Sequence, residues 1–291
     1  MKYEGMIYRP PSEAESLILQ VTVGCSYNRC TFCGAYQGKS FRIKSFEEVK
    51  EDIEEASLYC GRVRRVFLAD GDALVTPGKD LIRILSFIRA KLEGVERVGL
   101  YANARDILAK DLEELKTLSQ EGLEIIYLGL ESGNPEVLKG IKKNATVDQL
   151  IRASRRVKEA GLLLSVTVIL GIGGVENSRV HAEDTGRVLS EMDPDFVGAL
   201  SLMVVPGTPI EKEIEEGKRV LPTPFGMIEE LEIMIRQGTF THCLFASNHA
   251  SNYLPLRVWM PEQKEEALKR IREVLKRRDP ALLRPEYFRA L

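Results

Sequence analysis

The feature that most constrains this chain is a repeated alternation of short apolar runs with segments of helical pattern. The runs fall at residues 17–23, 65–69, 97–102, 125–130, 162–170 and 196–203. Several are continuously apolar rather than alternating, as expected of strands covered on both faces. The helical patterns between them span 46–58, 79–92, 110–120, 147–160 and 180–191. In the second, Leu81, Ile84, Leu85 and Ile88 share one stripe, while Lys79, Asp80, Arg83 and Arg89 fall off it. Gly122 and Gly161 follow two of these segments, where a left-handed cap costs least. Repeated strand–helix–strand units need crossovers and therefore a parallel sheet. Periodicity alone leaves open a doubly wound sheet or an incomplete barrel.

Composition narrows the setting. The chain has 291 residues, room for one large domain or two small ones. Its 41 basic and 43 acidic residues nearly balance, so no basic surface suited to nucleic acid is indicated. The first residues are polar and proline-containing where an export signal needs an apolar core. The longest apolar stretch, 162–175, contains three glycines and is shorter than the roughly 18 residues of a membrane span. A soluble, cytoplasmic protein is expected. After the sixth run come a proline-rich polar patch (205–226), a helix (227–236), a short segment (247–255) and a charged helix from Pro261. The expected division is a core over 1–205 and a C-terminal extension over 206–291 that closes or flanks it.

Five cysteines are present, and three of them, Cys25, Cys30 and Cys33, lie within nine residues. An odd, clustered set is the pattern of metal binding rather than of a disulfide framework. The cluster follows directly on the first strand, and ligands of α/β folds bind at the carboxyl ends of strands. Ideal helical steps would set Cys30 about 140° from Cys25, so the three thiols need a wrapping loop, not a helix face. Structural zinc takes four protein ligands, and an electron-transfer cubane takes four cysteines. Three thiolates on a cubane leave one iron open to a small molecule. The competing reading is a structural zinc site completed by Cys243, His242 or His249.

These residues resemble the radical S-adenosylmethionine (SAM) superfamily. Its signature is C-x3-C-x2-C with an aromatic residue before the last cysteine, the position of Phe32. Here four residues rather than three separate Cys25 from Cys30, a one-residue expansion. After the second strand, Asp70-Gly71-Asp72 stands where the family has a Gly-Gly-Glu turn holding the methionyl amino group of SAM; the first glycine is replaced. After the fourth, Gly129-Leu130-Glu131-Ser132-Gly133 is similar to the motif that contacts the SAM ribose and carboxylate. The fifth strand ends Ile169-Leu170-Gly171-Ile172-Gly173, like the adenine-binding turn, and Leu202 occupies the expected adenine-packing position after the sixth. The resemblance covers roughly residues 15–205.

That resemblance implies an α/β fold, an incomplete (β/α)6 TIM-like barrel with an α-rich C-terminal cap. It implies a 4Fe-4S cluster on Cys25, Cys30 and Cys33 that reductively cleaves SAM to a 5′-deoxyadenosyl radical, which takes hydrogen from a substrate. An electron donor such as flavodoxin or ferredoxin is then the expected partner. Two spare cysteines disfavour a second cubane. No cobalamin-binding domain is expected ahead of the first strand, and no RNA-binding module in the tail. Substrate-facing candidates are Tyr101, Asn103 and Arg105 after the third strand, and Asn248, His249, Asn252 and Tyr253 in the polar segment 247–253. An ordinary surface loop rich in Asn and Ser is the plain alternative for that segment. Arg105 fits equally a solvated start of the next helix, and His181 reads as structural. Faint similarity of 247–253 to the His-Asn-x-x-Tyr-Trp stretch of haem chaperones raises a second function, tetrapyrrole binding without turnover.

Overall fold

Strand and helix alternate as the apolar pattern requires in the computed structural model, which describes residues 1–290. The strands of its main sheet are β1 Leu17–Gln20, β2 Arg65–Ala69, β3 Arg97–Ala102, β4 Leu123–Glu131, β5 Leu163–Leu170, β6 Phe196–Ser201, β7 Cys243–Ala246 and β8 Arg257–Met260. The chain divides into two compact units.

The first unit comprises Met1–Asn28, Ala35–Leu128 and Arg152–Leu164. Its strands pair in parallel, with Leu19 opposite Leu68, Val66 opposite Val98 and Leu100 opposite Ile126. Val66, Phe67, Leu68 and Ala69 are all fully buried, so β2 is covered on both faces as its unbroken apolar run predicts. The helix Gly78–Lys91 buries the predicted stripe of Leu81, Ile84, Leu85 and Ile88. Each such side chain contributes about 2 kcal/mol when fully withdrawn from water. The helix Phe46–Tyr59 starts at Ser45 in a capping box with Glu48.

Two expectations change here. The run 17–23 is not one strand: Val21 still donates its N–H to the Ala69 carbonyl (2.6 Å), and then Thr22–Val23 peels away to pair antiparallel with Arg42–Ile43. The chain has to leave the sheet at this point to form the cysteine loop. The helix expected over 110–120 begins only at Leu112, because the Asp111 side chain caps it by accepting from Glu114 N–H. A separate short helix, Ala104–Ala109, precedes it.

The second unit comprises Arg29–Gly34, Gly129–Ile151 and the chain from Ser165 onward. Here β5 and β6 are parallel, Val166 opposite Val197, and β6 and β7 are parallel, Phe196 opposite Leu244. β8 closes the series antiparallel to β7, with Val258 opposite Phe245. This stretch carries the expected helices, Pro224–Gln237 and Lys264–Arg277. It also adds β7 and β8, which the apolar pattern had not separated from loop. The helix expected over 180–191 begins six residues earlier, as Gly174–Met192. Among the described residues no helix is long and apolar enough to cross a membrane.

Candidate cofactor site

In the first unit, the exit of β1 is clamped from β2. Asp70 is fully buried, and its Oδ2 accepts from Gly24 N–H, Gln20 Nε2 and Lys39 Nζ, each at 3.1 Å. Its own N–H donates to Thr22 Oγ1 at 3.0 Å, and Gly71 N–H donates to the Gly24 carbonyl at 3.2 Å. Asp70 therefore fixes the turn that delivers Cys25, which is half-buried. Gly71 is required by close approach: a Cβ there would lie 2.3 Å from the Tyr36 ring.

Beside this turn, Asp72 is fully buried and takes a short hydrogen bond from the Ser26 hydroxyl and a long one (3.4 Å) from Asn103 N–H. Arg105 bridges the group. It donates to Ser26 Oγ at 2.9 Å and to both oxygens of Asp106 at 3.2 Å, and lies 4.0 Å from Asp72. Burial, reinforced by the neighbouring Asp106 carboxyl, pushes Asp72 up to about 7. Asn103 Nδ2 is buried without a hydrogen-bond partner. Tyr101 packs edge-on against Phe67, ring centroids 5.0 Å apart. Of the candidates read from sequence, Asp72, Asn103 and Arg105 thus share one polar cluster, with Asp70 in the preceding turn. Asp106 belongs to the cluster and was missed; a carboxylate in a six-residue helix leaves no periodic signal of burial.

In the second unit, the remaining loop residues are pinned through their backbone. Thr31 N–H donates to the Ile141 carbonyl (3.0 Å), Ile210 N–H donates to the Thr31 carbonyl (3.1 Å), and Cys33 N–H reaches the Cys30 carbonyl at 3.2 Å. Cys30, Phe32 and Cys33 are half-buried. By contrast Cys60 is exposed and Cys243 buried. His242 stacks on Trp259 with ring centroids 4.6 Å apart. Among the described residues no three Cys, His, Asp or Glu side chains already converge as a metal site. The donor set nonetheless fits an iron–sulfur cluster: three soft thiols close in sequence, none sealed from a ligand.

The β4 exit holds Glu131 at φ +63°, a conformation costly for a non-glycine residue. Its carboxylate is buried and paired with Lys143 Nζ at 2.8 Å. Next to it Ser132 Oγ accepts from Asn134 N–H (3.0 Å) and lies 2.8 Å from His181 Nδ1, and Gly133 N–H donates to Thr185 Oγ1 at 2.8 Å. At the β5 exit Gly171 has φ +81°, and a Cβ would meet Met227 at 2.6 Å, so only glycine fits. Its N–H donates to Glu230 Oε2 at 2.6 Å, while Ser178 Oγ donates to Glu230 Oε1 at 2.6 Å. His181 and Glu230 are both buried, Nε2 3.8 Å from Oε2. Burial holds His181 down at about 4 and lifts Glu230 to about 7. Glu230 was missed, although it sits on the apolar stripe of its helix with Met227, Leu231 and Met234. A carboxylate in that register is the signal that finds it.

Ile169 and Leu202 are buried at the ends of β5 and β6, with Leu202 N–H donating to the Leu170 carbonyl at 2.9 Å. In the segment 247–253 only Asn248 is exposed. Asn252 spends its amide on β6, donating to the Ala199 carbonyl (2.8 Å) and accepting from Ser201 Oγ (2.9 Å). Tyr253 donates its hydroxyl to Glu286 (2.7 Å) beneath the Arg289 guanidinium. His249 is half-buried, its Nδ1 bonded to Ser251. The structure therefore brings His249, Ser251, Asn252 and Tyr253 together against β6, with Asn248 facing water.

Glycine turns, buried carboxylates and a thiol loop at the carboxyl ends of parallel strands are the layout of an α/β protein built around a cofactor. The family model of the radical SAM superfamily matches residues 19–183, more than half of the chain, and the chain belongs to that superfamily. The superfamily uses a 4Fe-4S cluster and SAM. Among its relatives, 4′-phospho-dehydrooxetanocin synthase of Priestia megaterium is 25% identical over 206 residues, covering 64% of this chain and 28% of that protein. The solved coproporphyrinogen III oxidase of Escherichia coli superposes with TM-score 0.61 at 16% identity, over 76% of this chain and 51% of that one. The methyltransferase TsrM of Kitasatospora setae, solved with cobalamin and a 4Fe-4S cluster, gives TM-score 0.56 at 20% identity, over 69% of this chain and 37% of that one. These likenesses establish the fold as the incomplete TIM-like barrel expected from the sequence. The chain spans about half or less of the length of each of these three relatives.

Proposed function

We propose that this chain is a radical SAM enzyme in which Cys25, Cys30 and Cys33 hold the 4Fe-4S cluster. The observation carrying this reading is the position of the three thiols: one loop, directly at the exit of the first parallel strand, in a chain of this superfamily. When bound, the cluster supplies the electron for reductive cleavage of SAM to methionine and a 5′-deoxyadenosyl radical. The chain's own residues bind and orient. Asp72 offers a buried carboxylate to the methionyl amino group, with Asp70 and Gly71 shaping the turn around it. Glu131 and Ser132 face the ribose and carboxylate. Gly171 shapes the turn beside adenine, its N–H held by Glu230, and Ile169, Leu202 and Phe32 give an apolar lining that excludes water.

Tyr101, Asn103, Arg105, Asn248, His249, Asn252 and Tyr253 are the proposed substrate-side residues. The proposed organisation is a core over 1–205 with an extension over 206–291. A small reducing protein of the flavodoxin or ferredoxin kind supplies electrons, and the cytoplasm, which is reducing, suits an open cluster.

The test is anaerobic reconstitution with iron and sulfide, then reduction by dithionite with SAM present. Four irons per chain and release of 5′-deoxyadenosine are expected. Replacing Cys25, Cys30 and Cys33 together with alanine abolishes both, whereas Cys60→Ala leaves both intact. Cleavage of SAM by the triple variant would overturn the assignment.

A further inference from the structure

Two of the proposed SAM-facing turns, the exits of β4 and β5, are joined by side chains that this role does not itself use. The link runs from Ser132 through His181 and Glu230 to Gly171, entirely within the second unit. Thr185 Oγ1 gives its proton to the His181 carbonyl at 2.6 Å and accepts from Gly133 N–H, so it has none left for the ring. Ser132 Oγ accepts from Asn134 N–H and lies 2.8 Å from His181 Nδ1, a hydrogen bond that either ring tautomer can make. Nε2 is buried and lies 3.8 Å from Glu230 Oε2, a packing distance rather than a hydrogen bond, while the Ile169 backbone also engages the ring. Glu230 spends Oε2 on Gly171 N–H and Oε1 on Ser178. A buried carboxylate is expensive unless each oxygen is engaged, and here the engaged donor is the backbone of a turn locked to φ +81°.

We propose that His181 and Glu230 are positioning residues that set the β4 and β5 turns in one mutual arrangement, so that the SAM-binding surface of the core is held by a carboxylate from the C-terminal extension. This deepens the reading of those turns as SAM-facing and rests on it. Neither side chain is asked to touch SAM. Their work is to fix the N–H of Gly171 and the hydroxyl of Ser132 before ligand arrives, which lowers the ordering cost of binding.

The experiment uses full-length, cluster-reconstituted protein under anaerobic conditions and reads SAM Kd by calorimetry and amide exchange by mass spectrometry. Glu230→Ala is expected to raise Kd about ten-fold, the equivalent of ~1.4 kcal/mol, at unchanged iron content. Exchange should accelerate at residues 171–173 and also at 132–134, the turn Glu230 does not contact. Glu230→Gln, which keeps an acceptor for Gly171 and a partner for Ser178, should restore the wild-type Kd. If wild type binds SAM and Glu230→Ala binds it equally well, the proposal falls. It falls too if only residues 171–173 loosen. Should wild type with a full cluster bind no SAM, the functional reading fails instead, and the paired exchange response still decides whether the two turns are linked. If Glu230→Ala does not fold, His181→Asn breaks the middle of the link and is read in the same two measurements.

Discussion

Glu230 and His181 are buried neighbours whose proton affinities have moved in opposite directions, and this has a consequence for stability. Glu230 is lifted from 4.5 to about 7, so the folded chain keeps a proton the unfolded chain has released. That contribution is complete below pH 4.5 and is lost as pH rises through about 7. His181 is lowered from 6.5 to about 4, so its contribution is complete above 6.5 and is lost as pH falls toward 4. Between 4.5 and 6.5 the two slopes oppose each other. Glu230→Gln removes one of them. Its stability relative to wild type should climb by roughly 3 kcal/mol as pH rises from 4.5 to about 7 and then level off. Urea unfolding below, within and above that range checks this; a pH-independent difference would count against it.

At the scale of elements, the helix Phe46–Tyr59 depends on reciprocal capping by Ser45 and Glu48. Ser45→Ala is expected to cost about 1 kcal/mol in urea unfolding, with cluster loading unchanged. The same scale explains what the sequence could and could not reveal. The β2, β3, β5 and β6 strands were legible because apolar side chains at consecutive positions have no other economical fate. The break after Gln20 was not legible, since Val21, Thr22 and Val23 suit a strand in either sheet; the Asp70 clamp, arriving from β2, decides. β7 and β8 have four residues each, too few for a period to declare itself. The cysteine loop and the glycine turns were readable because their chemistry lies in contiguous residues. Glu230 was not, because it acquires its role from Gly171 and Ser178, far back in the chain, and Asp106 was not, because a six-residue helix is too short to show a burial period.

For the molecule as a whole, the last residues return to the exit of β6. Arg284 donates to the carbonyls of His249 (2.8 Å) and Asn252 (3.1 Å), and Arg289 to those of Ser251 (2.6 Å) and Leu202 (3.1 Å). Ending the chain at residue 283 should therefore speed amide exchange across 247–253 while iron loading holds; unaltered exchange would show that the strap is dispensable. The long separation of clamp and clamped also has a temporal side. Gly171 leaves the ribosome 59 residues before Glu230, and Leu202 emerges well ahead of Arg289. A growing polypeptide thus carries the exits of β5 and β6 unsecured over the interval between clamped and clamping residue. Their final shape is acquired only once the trailing segments have emerged to lock them.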